Sequence, residues 1–148
     1  MDKNTFKKAI EGIKELCGAY REGLKALNKD CKGNVEAADT RLLYGSVDID
    51  KATKDKYPQD SRWDYVVCYH GALYFIELHP ASTSNVKEVL NKLDWLKGWL
   101  KDKAELEQAE RSYHWIVTGR VKILPNSREY KQLASKGLLL KTKLKLGN

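Results

Sequence analysis

Two short runs dense in aromatic and β-branched residues, Trp63 to Tyr69 and Leu73 to Leu78, stand either side of His70-Gly71. Such runs predict β-strands. A two-residue link ending in glycine, which accepts positive φ, turns them back on each other as a hairpin. The turn then fixes the register: paired positions sum to 141, which sets Asp64 across from Glu77 and Arg62 across from His79. A symmetric four-residue loop, Tyr69 to Ala72, gives the same pairing. Side chains alternate faces along a strand, so Glu77 and His79 share the face of Asp64. Directly opposed residues sit roughly 4.5–5.5 Å apart at Cβ, where like charges repel. Two facing carboxylates between Tyr65-Val66-Val67 and Tyr74-Phe75-Ile76 therefore need a counter-charge or an exit to solvent.

The remaining patterns build outward from the hairpin. Phe6, Ile10, Ile13, Cys17, Tyr20, Leu24 and Leu27 recur at spacings of four and three, predicting one amphipathic helix capped by Asn4 or Thr5 and ending near Gly33. Gly12, Gly18 and Gly23 lie inside it, each weakening a helix by roughly 1 kcal/mol relative to alanine. Leu42 to Ile49 reads as a strand before the hairpin, and Pro80 is expected to end the hairpin's second strand. Val86, Val89, Leu90, Leu93, Leu96, Lys97 and Leu100 trace a helix to about Lys103, with Asn85 and Glu88 as a capping box. Glu105 to Glu110 either continues that helix or loops away. Tyr113 to Val121 predicts a strand, Ser127 to Ser135 a short helix, and Leu138 to Leu146 a last strand. The expected fold is one α/β domain over 1–148, with a mixed sheet flanked by helices.

Composition narrows the function. Apolar residues at 42% and charged residues at 32% support a packed core, and no apolar run approaches the ~20 residues of a bilayer span. The start, Met1-Asp2-Lys3-Asn4, has no apolar signal core. Cys17, Cys31 and Cys68 are odd in number and lack metal-type spacing, which favours a reducing cytoplasm over a disulfide framework or zinc site. A net charge of +7 is compatible with a polyanionic partner such as DNA or RNA, and equally with a merely basic domain.

Paired carboxylates suit a hard divalent cation, Mg²⁺ or Mn²⁺, completed by water and substrate phosphate. Such a cation acidifies a bound water and stabilises charge on a phosphoryl oxygen. His79, two residues past Glu77, is a candidate further ligand or general base. The segments Arg62-Trp63-Asp64-Tyr65-Val66-Val67 and Phe75-Ile76-Glu77-Leu78-His79 resemble the PD-(D/E)XK (restriction-endonuclease-like) phosphodiesterase superfamily. Its core runs αβββαβ, with an Asp opening the second strand and Glu-x-Lys on the third. The resemblance covers about Phe6 to Val121. It implies that Asp64, Glu77 and the backbone carbonyl of Leu78 ligate the metal. His79 stands where that family has its lysine, and Trp63 replaces a proline. Some relatives carry the lysine on the following helix, which makes Lys87 the first substitute here and Lys92 the second. A first-helix glutamate joins many such sites; Glu11, Glu15 and Glu22 are the candidates.

Two classes of function remain. One is a nuclease-like domain hydrolysing nucleic-acid phosphodiesters with Asp64, Glu77, His79 and Lys87. The other is a catalytically degenerate module that binds nucleic acid or a protein partner. For each of these residues a structural role competes. Asp64 and Glu77 fit a strand-end pair facing solvent or Arg62, and His79 fits a bond to a backbone carbonyl. His70 belongs to the turn and His114 to its strand beside Trp115, while Asp48 and Asp50 either border the site or open a polar loop. Trp95 and Trp99 serve packing or a homodimer contact ahead of stacking on a base. Lys141, Lys143 and Lys145 share one face of the last strand, either guarding a sheet edge or tracking phosphates.

Overall fold

His70 (φ 49°) and Gly71 (φ 86°) both adopt left-handed backbone, the geometry of a two-residue hairpin turn. The computed structural model describes residues 1–147. β3 (Tyr65–Tyr69) and β4 (Ala72–Ala81) pair antiparallel from Tyr69↔Ala72 to Tyr65↔Ile76, the register expected from the turn. β2 (Leu43–Asp48) adds on the other side of β3, with Asp48 opposite Tyr65. The chain then crosses over through α4 (Thr83–Leu100) to β5 (Arg111–Val121), which runs parallel to β4, and through α6 (Arg128–Ser135) to β6 (Leu138–Lys141), parallel to β5. The result is a five-stranded mixed sheet in the order β2-β3-β4-β5-β6, flanked by helices.

Alternation along the strands sends two sets of apolar side chains to opposite faces. Val66, Cys68, Phe75, Trp115 and Val117 meet Phe6 and Ile10 of α1 (Lys3–Glu11) and Val86, Val89, Leu93 and Leu96 of α4. Tyr65, Val67, Ile76 and Ile116 meet Leu27, Cys31 of α2 (Lys29–Lys32), and a two-stranded parallel sheet of β1 (Val35–Ala37) and β7 (Leu144–Leu146). Short helices α3 (Ile49–Thr53) and α5 (Ala104–Glu107) close the ends of β2 and α4.

Five sequence expectations need correction. The long first helix stops at Glu11: Gly12 caps it, Ile13 is extended, and Gly18 and Gly23 take positive φ, so the apolar stripe continues through a 3₁₀ turn and loops. Its N-cap is Asp2, whose carboxylate accepts from Thr5 N. Pro80 does not end β4. The N–H of Leu78 points toward the β3 side, and alternate residues share that side, so the N–H missing at Pro80 falls where β3 has already ended. Pairing with β5 therefore runs on to Ala81. The capping box of α4 is Ser82 with Asn85, one turn before Asn85 with Glu88. Lastly, Leu138 to Leu146 is two strands in two sheets; a bend at Thr142 and Lys143 parts them, and β7 finds a partner, β1, too short to stand out by periodicity.

Candidate functional site

At the open end of the hairpin the two strands separate, and Asp64 and Glu77 meet across the gap on the face covered by α4. Asp64 N–H donates to Glu77 Oε1 at 3.2 Å, and Leu78 N–H donates to Asp64 Oδ2 at 2.9 Å. The carbonyl of Asp64 accepts from Ile49 N–H at 2.8 Å, tying the head of β3 to the start of α3. From above, α4 lowers Lys92, whose Nζ lies 2.7 Å from Glu77 Oε2. Glu77 has no exposed surface, and the Lys92 side chain retains 19%.

The electrostatics follow from burial. Desolvation, reinforced by the Asp64 charge, pushes the Glu77 carboxyl up to about 8, against the pull of Lys92 and of Asp64 N–H. Asp64 is also raised: burial outweighs the Leu78 hydrogen bond and Lys92, and Asp50 and Asp48 add repulsion. Burial opposes the charge on Lys92, but Glu77 and Asp64 outweigh it and raise its pKa. The arrangement holds two carboxyls and one ammonium with a deficit of positive charge.

The structure thus brings Asp64, Glu77 and the Leu78 backbone together and adds Lys92 rather than Lys87. Lys87 is exposed on the other flank of α4, lining a groove with Arg128 and Lys136. The signal for Lys92 was present in the sequence. Lys92 sits three residues after Val89 and four before Leu96, both buried, whereas Lys87 is followed at those spacings by half-buried Leu90 and exposed Asn91. His79 shares the face of Glu77, yet its ring nitrogens engage the Pro80 carbonyl (3.0 Å) and Glu88 (3.3 Å), and its ring meets Trp115 edge-on. It clamps β4 to α4.

The glutamates of the N-terminal segment are engaged elsewhere. Glu11 accepts from Gly18 N–H, Glu22 pairs with Lys3, and Glu15 accepts from Trp99 Nε1 at 3.1 Å beside Lys56 and Lys103. Asp48 caps α3 through Lys51 N–H, and Asp50 holds Arg62 at 2.8 Å, so both serve the loop bordering the site. Trp95 packs under that loop: it donates to Asp60 at 3.0 Å, stacks on Trp99 and meets Tyr57 edge-on. His70 is a turn residue. Lys141, Lys143 and Lys145 do not share a strand face; they occupy β6, the bend and β7, with Lys143 3.4 Å from Glu36.

Two carboxylates are oxygen donors of the kind a hard divalent cation takes, with water filling the remaining positions. Asp64 Oδ1 has no protein partner among the described residues, and it is not sealed from solvent as His114 Nδ1 is. No group of three or more His, Cys, Asp or Glu side chains gathers into a metal cage among the described residues. Also among these residues, no helix is long and apolar enough to cross a membrane. Compared with protein-family models, curated proteins and solved structures, the chain matches none.

Proposed function

We propose that this chain is a restriction-endonuclease-like domain that hydrolyses nucleic-acid phosphodiester bonds with Mg²⁺ or Mn²⁺ at Asp64, Glu77 and the Leu78 carbonyl. The observation that carries the reading is the convergence of Asp64, Glu77 and Lys92 at one strand end, with both carboxyls short of compensating positive charge. The order α1, β2, β3, β4, α4, β5 supports it, because it repeats the αβββαβ core once β1 and the short helices are set aside. When bound, the metal supplies Lewis-acid polarisation of the scissile phosphate. Asp64 offers its open oxygen at the mouth of the site. Glu77, anchored by Asp64 N–H, stands behind it and holds the ammonium of Lys92. Lys92 is the positioned cation that steadies negative charge developing on phosphate oxygens and orients the attacking water.

A second reading is favoured by the closed set of hydrogen bonds: Glu77 already has a counter-ion in Lys92, so the same trio suffices as a buried structural ion pair in a catalytically silent binding module. Cleavage assays decide between them. Single-stranded and duplex DNA and RNA are incubated with Mg²⁺ or Mn²⁺, using wild type, Lys92→Ala and Lys87→Ala. The nuclease reading expects cleavage by wild type, a loss of about 10²-fold or more in kcat for Lys92→Ala, and an unchanged kcat at saturating substrate for Lys87→Ala. Wild-type inactivity on all four substrates, or equal activity in the three proteins, removes it.

A further inference from the structure

The net charge of the chain is not spread over it. Residues 120–148 hold eight Lys and Arg against Glu129 alone, a balance of +7, which equals the charge of the whole protein. The remaining residues, 1–119, hold 19 cations and 19 acids and are neutral. Much of this excess lies on one side of the fold. Arg120 and Lys122 stand where β5 runs out, lining a hollow with Ser82 and Asn85 at the start of α4. Arg128 and Lys136 stand at the two ends of α6 and line the α4–α6 groove with Lys87, three cations against Asp94 and Glu129. Lys131 projects from α6 into solvent. All six side chains belong to exposed residues, and none forms an ion pair among the described residues.

The opposite flank of α4 differs. Around Lys92 lie Asp64, Glu77 and Glu88, with Asp48 and Asp50 close enough to bias Asp64. An acidic mouth repels a polyanion, so a nucleic acid needs its grip elsewhere. We propose that the surface formed by the end of β5, α6 and Lys87 is a docking site for the sugar–phosphate backbone of a nucleic acid, and that it works without the metal. Nucleic acid fits this surface better than a bilayer does. Large apolar exposure here comes from Val121 (44%), Leu124 (74%) and Tyr130 (38%), and Leu133, the apolar anchor of α6, is buried in the core. Tyr130 and Leu124 among cations suit contact with bases and sugars. The proposal shares its polyanion with the proposed function and rests on that reading for the choice of nucleic acid; the surface itself rests on the charge partition.

The test is fluorescence anisotropy of labelled duplex and single-stranded oligonucleotides with the full chain in EDTA across a salt series. The variant Arg120→Gln/Lys122→Gln/Arg128→Gln/Lys131→Gln is compared with a control of equal charge change in the neutral part, Lys25→Gln/Lys29→Gln/Lys32→Gln/Lys54→Gln. All eight positions are exposed, and circular dichroism verifies folding. The first variant is expected to bind roughly tenfold or more weakly at low salt and to lower the log–log salt slope by about 3, with the control near wild type. A second variant confined to α6, Arg128→Glu/Lys131→Glu, is expected to weaken binding likewise. Equal losses in surface and control variants overturn the proposal. So does an absence of wild-type binding at about 50 mM salt, or tighter association with phosphatidylserine vesicles than with oligonucleotides. Because EDTA removes divalent ions, failure of the metal centre leaves this result untouched, and failure of the surface leaves Mn²⁺ binding at Asp64 untouched.

Discussion

The two flanks of α4 carry lysines five residues apart that live under opposite physics. On the β3 side, Lys92 is drawn down beside Glu77, loses most of its solvent and is matched to a carboxylate at 2.7 Å. On the α6 side, Lys87 stays in water in a groove with Arg128 and Lys136, and neither Asp94 nor Glu129 of that groove forms an ion pair with it. The same residue type is a fixed internal charge in one place and part of an open electrostatic surface in the other. Helical rotation alone makes the difference, since 3.6 residues per turn swings position 92 toward the β3 side of the sheet and position 87 away from it. A buried charge is specific because removing its partner leaves an uncompensated group. An exposed cation acts in numbers and through salt-dependent attraction.

Lysine-to-methionine substitutions sharpen this contrast most. Lys92→Met leaves Glu77 buried without its cation and is expected to lower unfolding free energy by about 1–3 kcal/mol in urea denaturation at pH 9, where Glu77 is ionised, and by less at neutral pH, where a carboxyl raised to about 8 keeps its proton. Lys87→Met is expected to stay within about 0.5 kcal/mol of wild type. Equal effects erase the distinction between the flanks.

A buried group with no counter-ion at all gives an effect of comparable size. His114 is 2% exposed, its Nε2 meets Ser112 Oγ at 2.7 Å, and its Nδ1 is buried without a partner. Burial, aided by Lys141, lowers its pKa from 6.5 to about 4. The unfolded chain therefore binds a proton between these values that the folded chain refuses. Stability from the neutral imidazole is full above pH 6.5 and falls as pH drops toward 4, by about 3 kcal/mol for such a shift. Glu77, raised by burial, contributes with the opposite sign: its share is present in acid and is lost as pH rises through about 8. His114→Phe is expected to flatten the acid limb of a stability-versus-pH curve relative to wild type. A parallel curve contradicts the burial of a neutral ring.

The hairpin, the register that opposes Asp64 and Glu77, and the helical crossover were legible because each follows from local chemistry: a positive-φ turn, period-two alternation and a 3.6-residue stripe. Which of the two helix lysines meets the carboxylates was not legible, because it depends on which side of α4 the hairpin's open end occupies. That is a tertiary fact, although the neighbours Val89 and Leu96 carried a hint of it. The first helix was overextended because Cys17, Tyr20, Leu24 and Leu27 keep helical spacing while Gly18 and Gly23 take left-handed backbone. β1 and β7, three residues each, pair across more than a hundred positions of sequence, beyond the reach of any local pattern.

The most direct test of the two-carboxylate centre is Mn²⁺ titration followed by electron paramagnetic resonance, on wild type and Asp64→Asn. Asparagine keeps an oxygen to accept from Leu78 N–H, so the fold is retained while the open carboxylate charge is lost. Wild type is expected to bind Mn²⁺ in a saturable one-to-one manner, raising its unfolding free energy by about 2.7 kcal/mol at a hundredfold excess over Kd, and Asp64→Asn is expected to lose both effects. Saturable binding of equal strength in the two proteins, or none in wild type, contradicts a metal centre at Asp64 and Glu77.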